Sequence, residues 1–151
     1  MNPINISVRN IRVEDAAAIT SLSNQLGYPA TIAMTIENIR AIRDHVDHDA
    51  FVAVYDEKVV GWTHVFSLLQ IESPPFCEIR GLVVDKDHQR KGIGKLLVER
   101  TKAWGIQKGI SRLRLRCNTK RSDAHLFYAS LGFEELKEQK VFEINLEPAY
   151  H

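Results

Sequence analysis

The chain has 151 residues, enough for one domain with a sizeable core, and its 44% hydrophobic and 26% charged residues are the balance of a soluble globular fold. A net charge of +1 excludes a broad basic field for nucleic acid or an anionic membrane. No apolar run approaches the roughly 20 residues that a membrane helix needs.

The first predicted element is a strand through Ile4, Ile6 and Val8, which alternate with polar residues up to about Arg12. Ala18, Ile19, Leu22 and Leu26 then recur at helical spacing, and Gly27-Tyr28-Pro29 stops that helix. A second helix is expected from about Thr31 to Asp44. The runs 51–55 and 59–69 flank the short link Asp56-Glu57-Lys58 and read as a hairpin. Ser73-Pro74-Pro75 breaks the chain before a long strand, 76–84. A helix over about 92–108 follows and ends at Gly109. RLRLRC, 112–117, alternates strictly and predicts another strand. A helix over about 122–131 leads into two closing strands, Phe133–Leu136 and Val141–Leu146. The order predicts one domain over 1–151: an α/β fold with a single mixed, partly antiparallel sheet and helices on its faces.

Cys77 and Cys117 lie in apparent strands and read as reduced, buried thiols of a cytoplasmic protein. The start, MNPINISVRN, has neither the charged segment nor the apolar run of a signal peptide. Asp44-His45-Val46-Asp47-His48-Asp49 is rich in ligand types, but His-x-x-His is not the spacing of a helical zinc pair. It reads as a solvated loop closing the second helix, and no metal is expected.

The most informative stretch is VVDKDHQRKGIGKLLVE, 83–99, where a strand passes through a charged turn and two glycines into a helix. A helix N-terminus carries unsatisfied N–H groups and partial positive charge, and glycine lets an anion approach them. A nucleotide-triphosphate loop is excluded because Gln89 stands at its first glycine and Leu96 at its hydroxyl. The dinucleotide fingerprint fails because Leu97 occupies its third glycine. What remains is Gln89-Arg90-Lys91-Gly92-Ile93-Gly94.

This Gln-x-x-Gly-x-Gly turn resembles the acyl-coenzyme-A loop of the GNAT N-acetyltransferases. The resemblance extends back through EIRGLVVD. It resumes at Asn118, Ala124, Phe127-Tyr128 and Leu131-Gly132-Phe133, covering most of residues 76–136. It implies the GNAT fold, with about six to seven strands and four helices, and acetyl-CoA as co-substrate. Donors around Gln89, Arg90, Lys91, Gly92, Gly94 and Lys95 would take the pyrophosphate. The main chain of Leu82 and Val84 would pair with the pantetheine arm where the fifth strand splays away, and the amide near Val83 would polarise the thioester. Asn118 would contact the arm, or else form a turn into the next helix.

Transfer needs a neutral amine and a protonated leaving thiol. The resemblance implies Glu78 as base, although an ion pair with Arg80 is the plain alternative. It implies Tyr128 as acid, with a buried aromatic as the alternative. Tyr28, Trp62, His64 and Phe142 are candidates to line the acceptor site, and core packing explains each taken singly. The acceptor is then a small-molecule amine, or the N-terminus or lysine of a protein; a non-catalytic acyl-CoA-binding module is the third reading. The sequence leaves open a homodimer built through the closing strands.

Overall fold

The computed structural model describes residues 5–117 and 122–147. The chain divides into two compact units, Met1–Arg116 and Cys117–His151.

In the first unit, five strands form one sheet in sequential order: β1 (Ile6–Asn10), β2 (His48–Tyr55), β3 (Lys58–Leu68), β4 (Phe76–Val84) and β5 (Leu113–Leu115). Neighbours are antiparallel except β4 and β5, which are parallel. The β2–β3 turn places Asp56 and Glu57 at φ 47° and 65°. A two-residue turn with both centres left-handed matches the twist of its flanking strands.

Helices cover both faces. Helices α1 (Ala16–Gln25) and α2 (Ile32–Arg43) lie on one side, where Ile11, Ala16, Ile19, Ile39, Ala50 and Val52 form a buried cluster. Thr31 caps α2 by accepting from the Met34 amide at 3.2 Å. The buried Thr20 hydroxyl donates to Thr35 at 2.8 Å, tying the two helices together. Helix α3 (Ile93–Gln107) covers the other side, where Phe51, Val60, Val65, Cys77, Ile93, Leu97 and Trp104 interlock. Gly105 brings α3 close to the sheet: a Cβ there would stand 3.2 Å from the Cys77 sulfur.

The second unit contains α4 (Ser122–Ser130), closed by Gly132 at φ 95°. The expected closing strands are a correction. Residues 133–147 carry no strand, and the described sheet has five strands rather than six or seven. Alternation supplies a face to bury, but a strand exists only through ladder bonds to a partner. Here Leu136, Val141, Phe142, Ile144 and Leu146 stay exposed. The strand expected over 112–117 also shortens to Leu113–Leu115. His48 and Asp49, expected in a loop, open β2 instead.

No helix among the described residues is long and apolar enough to cross a membrane. No group of three or more His, Cys, Asp or Glu side chains among them is arranged to hold a metal ion.

Candidate active site

The site is built on β4. Its ladder to β5 runs only through Cys77, Glu78 and Ile79, while its ladder to β3 continues to Val84. From Arg80 onward the β5-side edge is therefore unpaired among the described residues. The Asp85 amide donates to Val60 of β3 at 2.8 Å. Main-chain groups alternate sides along a strand. Val83 thus faces β3, and Leu82 and Val84 turn their N–H and C=O groups toward the open edge. Leu82 and Val84, expected to pair with the pantetheine arm, thus face the open edge, whereas Val83, whose amide was expected to polarise the thioester, faces β3.

The seam leads into the glycine turn. Arg90 and Gly92 both have left-handed backbones, φ 66° and 80°, and Gly92 is the N-cap of α3. The first helical bond runs from the Leu96 amide to the Gly92 carbonyl at 3.1 Å. The amides of Ile93, Gly94 and Lys95 accordingly have no acceptor within the helix. Left-handed residues beside such amides form an anion-binding concavity. Gln89, Arg90 and Lys95 are exposed. Lys91 places its ammonium 4.7 Å from the centre of the Tyr55 ring.

An anchor beneath this turn was not anticipated. Asp85 is 4% exposed and accepts from the Asp87 amide at 3.4 Å, with His88 Nδ1 at 2.8 Å. Burial alone would push its carboxyl up, but the contacts to His88, Gln25 and the Asp87 amide outweigh that and keep it below its ordinary range. Gln25, at the end of α1, also accepts from the Lys86 amide at 3.3 Å. Only the acid at a strand end signals this in the sequence.

One face of β3 and β4 gathers Trp62, His64 and Glu78. Glu78 is 2% exposed, and both its oxygens are engaged: Arg80 donates to one at 3.0 Å and Arg116 to the other at 3.1 Å. The ion pair with Arg80 is thus present and doubled. A carboxylate oxygen retains a further lone pair, so Glu78 can still accept from water or an ammonium. The bulge opposite His64 and Val65 inserts Arg80 as an unmatched residue. The Trp62 indole N–H is buried and has no partner among the described residues.

Trp62 packs directly on Gly81: a Cβ at Gly81 would fall 2.6 and 2.7 Å from two ring carbons. Gly81→Ala is therefore expected to displace the indole and cost about 1–3 kcal/mol, measured by urea unfolding.

His64 and His48 share a hydrogen bond of 2.9 Å across β2 and β3. Burial first, then His48 and Arg80, lower the His64 pKa to about 4. The folded state therefore refuses a proton that the unfolded chain takes near pH 6.5. Stability due to this group is complete above pH 6.5 and declines toward pH 4, by at most about 3 kcal/mol. His64→Gln is expected to flatten that part of the stability–pH curve; unchanged curvature would contradict the assignment.

Of the other expected residues, Tyr28 is exposed after α1. Asn118 lies outside the described residues. Tyr128 and Phe142 belong to the second unit. Tyr128 is half-buried on α4, with ring centres of Phe127 and Phe133 at 5.5 and 6.2 Å; Phe142 is 88% exposed. Cys77 is buried, and desolvation raises its thiol pKa against the opposing pull of Lys108, which does not suit a nucleophile.

Residues 16–133 match the Acetyltransferase (GNAT) family. An uncharacterized N-acetyltransferase of Chlorobaculum tepidum, CT2212, is 30% identical over 133 residues, which cover 87% of this chain and 77% of that protein. Solved structures share the fold, two aminoglycoside acetyltransferases among them. Aminoglycoside N-acetyltransferase AAC(6')-Iy in complex with CoA aligns with a TM-score of 0.83 at 17% identity, covering 93% of this chain and 95% of that one. The aminoglycoside acetyltransferase meta-AAC0020, from an uncultured soil metagenomic sample and in complex with sisomicin, aligns at 0.77 and 21% identity, covering 95% and 98%.

Proposed function

The chain belongs to the GNAT acetyltransferase family and is an acyl-CoA N-acyltransferase; on that footing we propose that it moves an acetyl group from acetyl-CoA to a primary amine of a small molecule, by direct attack in a ternary complex. The observation that carries this reading is the strand β4 that leaves its ladder at Ile79 and presents Leu82 and Val84 to an open edge running into the α3 N-terminus. Backbone groups of Leu82 and Val84 bind the pantetheine amides as an added strand would. The Leu82 amide faces the thioester oxygen, and Val83 anchors the strand to β3. The amides of Ile93, Gly94 and Lys95, with Gln89, Arg90, Lys91 and Gly92, grip the pyrophosphate. Asn118 contacts the arm.

Glu78 takes the amine's proton, directly or through water, and Tyr128 protonates the departing thiolate. Trp62 and His64 line the acceptor side, with Tyr28 and Phe142 as further lining. The whole chain, 1–151, acts as a single acetyltransferase domain, supported by a family match that spans both units. The two free thiols support a cytoplasmic setting. The small-molecule acceptor is supported by the sisomicin complex of a fold neighbour.

The test is calorimetry with acetyl-CoA followed by thiol release across a panel of amines and peptides. Binding and turnover with small amines are expected. A well-folded chain that gives neither heat nor thiol would overturn the assignment.

A further inference from the structure

The acceptor face carries an imbalance of charge that acyl transfer itself does not require. Arg112, Arg114 and Arg116 alternate along the segment containing β5, on the same face as Glu78, with Leu113 and Leu115 turned the other way. Arg114 is the register partner of Glu78. Arg80 stands beside them at the bulge. Two of these guanidiniums contact the one carboxylate, Arg112 and Arg114 lie over Phe76 on the same face, and Glu78 is the sole acidic residue in β3, β4 and β5.

The guanidiniums are not equally engaged. Arg112 donates to the Pro74 carbonyl at 2.7 Å. Arg116 and Arg80 each give one bond to Glu78. Arg114 is half-buried, with its guanidinium carbon 4.1 Å from the centre of the Phe76 ring, and it makes no hydrogen bond or ion pair among the described residues. A stacked guanidinium keeps its edge donors pointed outward in a fixed plane. Arg80, 54% exposed, has spent one of its five N–H donors. The positive field is felt next door, where Arg80 is among the causes that disfavour a proton on His64.

We propose that Arg80 and Arg114 form a subsite for a carboxylate on the acceptor, so that the preferred substrate is an amine that also bears an acid group. This rests on the acetyltransferase reading above and names its substrate class. The geometry suits it. Arg80 lies two residues before Leu82, roughly 7 Å along the backbone, so an acid group held there leaves its amine near the open edge. Planar forks of N–H donors match a carboxylate's two oxygens, and on this face Glu78 already takes one bond from each of two guanidiniums. A polycation such as an aminoglycoside would meet Arg80 and Arg114 on a face whose three strands carry one acidic residue, which disfavours it.

The test compares matched acceptors with the full chain by thiol release. Each L-amino acid is set against its carboxamide, phosphoethanolamine against ethanolamine, and kanamycin represents polycations. Carboxylate acceptors are expected to exceed their carboxamides at least tenfold in kcat/KM. The preference should collapse in Arg114→Met and invert in Arg114→Glu, with acetyl-CoA binding confirming that each variant is folded. Equal rates for acid and amide, or a preference for kanamycin, would overturn this inference and leave the acetyltransferase reading intact. A preference confined to phosphoethanolamine would replace the carboxylate by a phosphate and overturn the assignment as stated. Failure of every amine, together with no heat from acetyl-CoA, would overturn both readings.

Discussion

Tyr128→Phe is expected to lower kcat by about 100-fold or more while leaving the affinity for acetyl-CoA within about twofold. The substitution keeps the ring, and with it the contacts to Phe127 and Phe133 on and after α4. Only the phenol oxygen and its proton are removed. In the proposed mechanism that proton goes to the leaving sulfur as the tetrahedral intermediate collapses. A thiol has an ordinary pKa near 8.5. Above about pH 9 the thiolate departs unaided, so the deficit should shrink as pH rises through that range. Single-turnover thiol release from pH 6.5 to 9.5, paired with calorimetry, measures both quantities. A parallel loss of binding and turnover, or a deficit that ignores pH, would contradict the role.

Gly92→Val acts on the other half of the site. Gly92 holds φ 80° and ψ 10° as the N-cap of α3, with no heavy atom within 4 Å of a built Cβ. Space is available, so the cost is conformational: roughly 1–2 kcal/mol for forcing a β-branched residue into the left-handed region. Arg90 already carries a cost of this kind two residues earlier. If the turn keeps its shape, the domain loses that stability. If the turn relaxes, the first-turn amides lose their aim, and one or two charge-assisted hydrogen bonds are worth roughly 10- to 100-fold in coenzyme affinity. The expected result is the second, read by calorimetry with coenzyme A beside urea unfolding. Unchanged affinity together with unchanged stability would show that the turn does not organise the anion site.

The elements that carry the proposed coenzyme site are legible in the sequence because they are local. Strand β4 is read to the residue at Phe76–Val84, and α3 to within one residue at each end. An apolar run bounded by Pro74-Pro75 and Asp85, followed by a glycine N-cap and a 3.6-residue period, leaves little choice. The ion pair of Glu78 with Arg80, the plain alternative to a base, is legible because residues two apart on a strand share a face. What was not legible depends on partners far along the chain. Arg116 reaches Glu78 from 38 residues away, and His48 meets His64 only through the β2–β3 register. The Asp85 anchor depends on Gln25, 61 residues before Lys86. The two closing strands were overread for the same reason. Val141, Phe142, Ile144 and Leu146 have the propensity and most of the alternation of a strand, yet propensity does not supply the neighbour that a ladder requires.

The seat of Cys77 under Gly105 has a practical consequence for the dynamics of the fold. With its sulfur sealed between sheet and helix, this thiol meets a modifying reagent only in molecules where α3 has lifted away. Its labelling rate is therefore an internal clock for sub-global opening, and acetyl-CoA, which in the proposed binding mode engages the start of the same helix, should slow that clock in proportion to its occupancy.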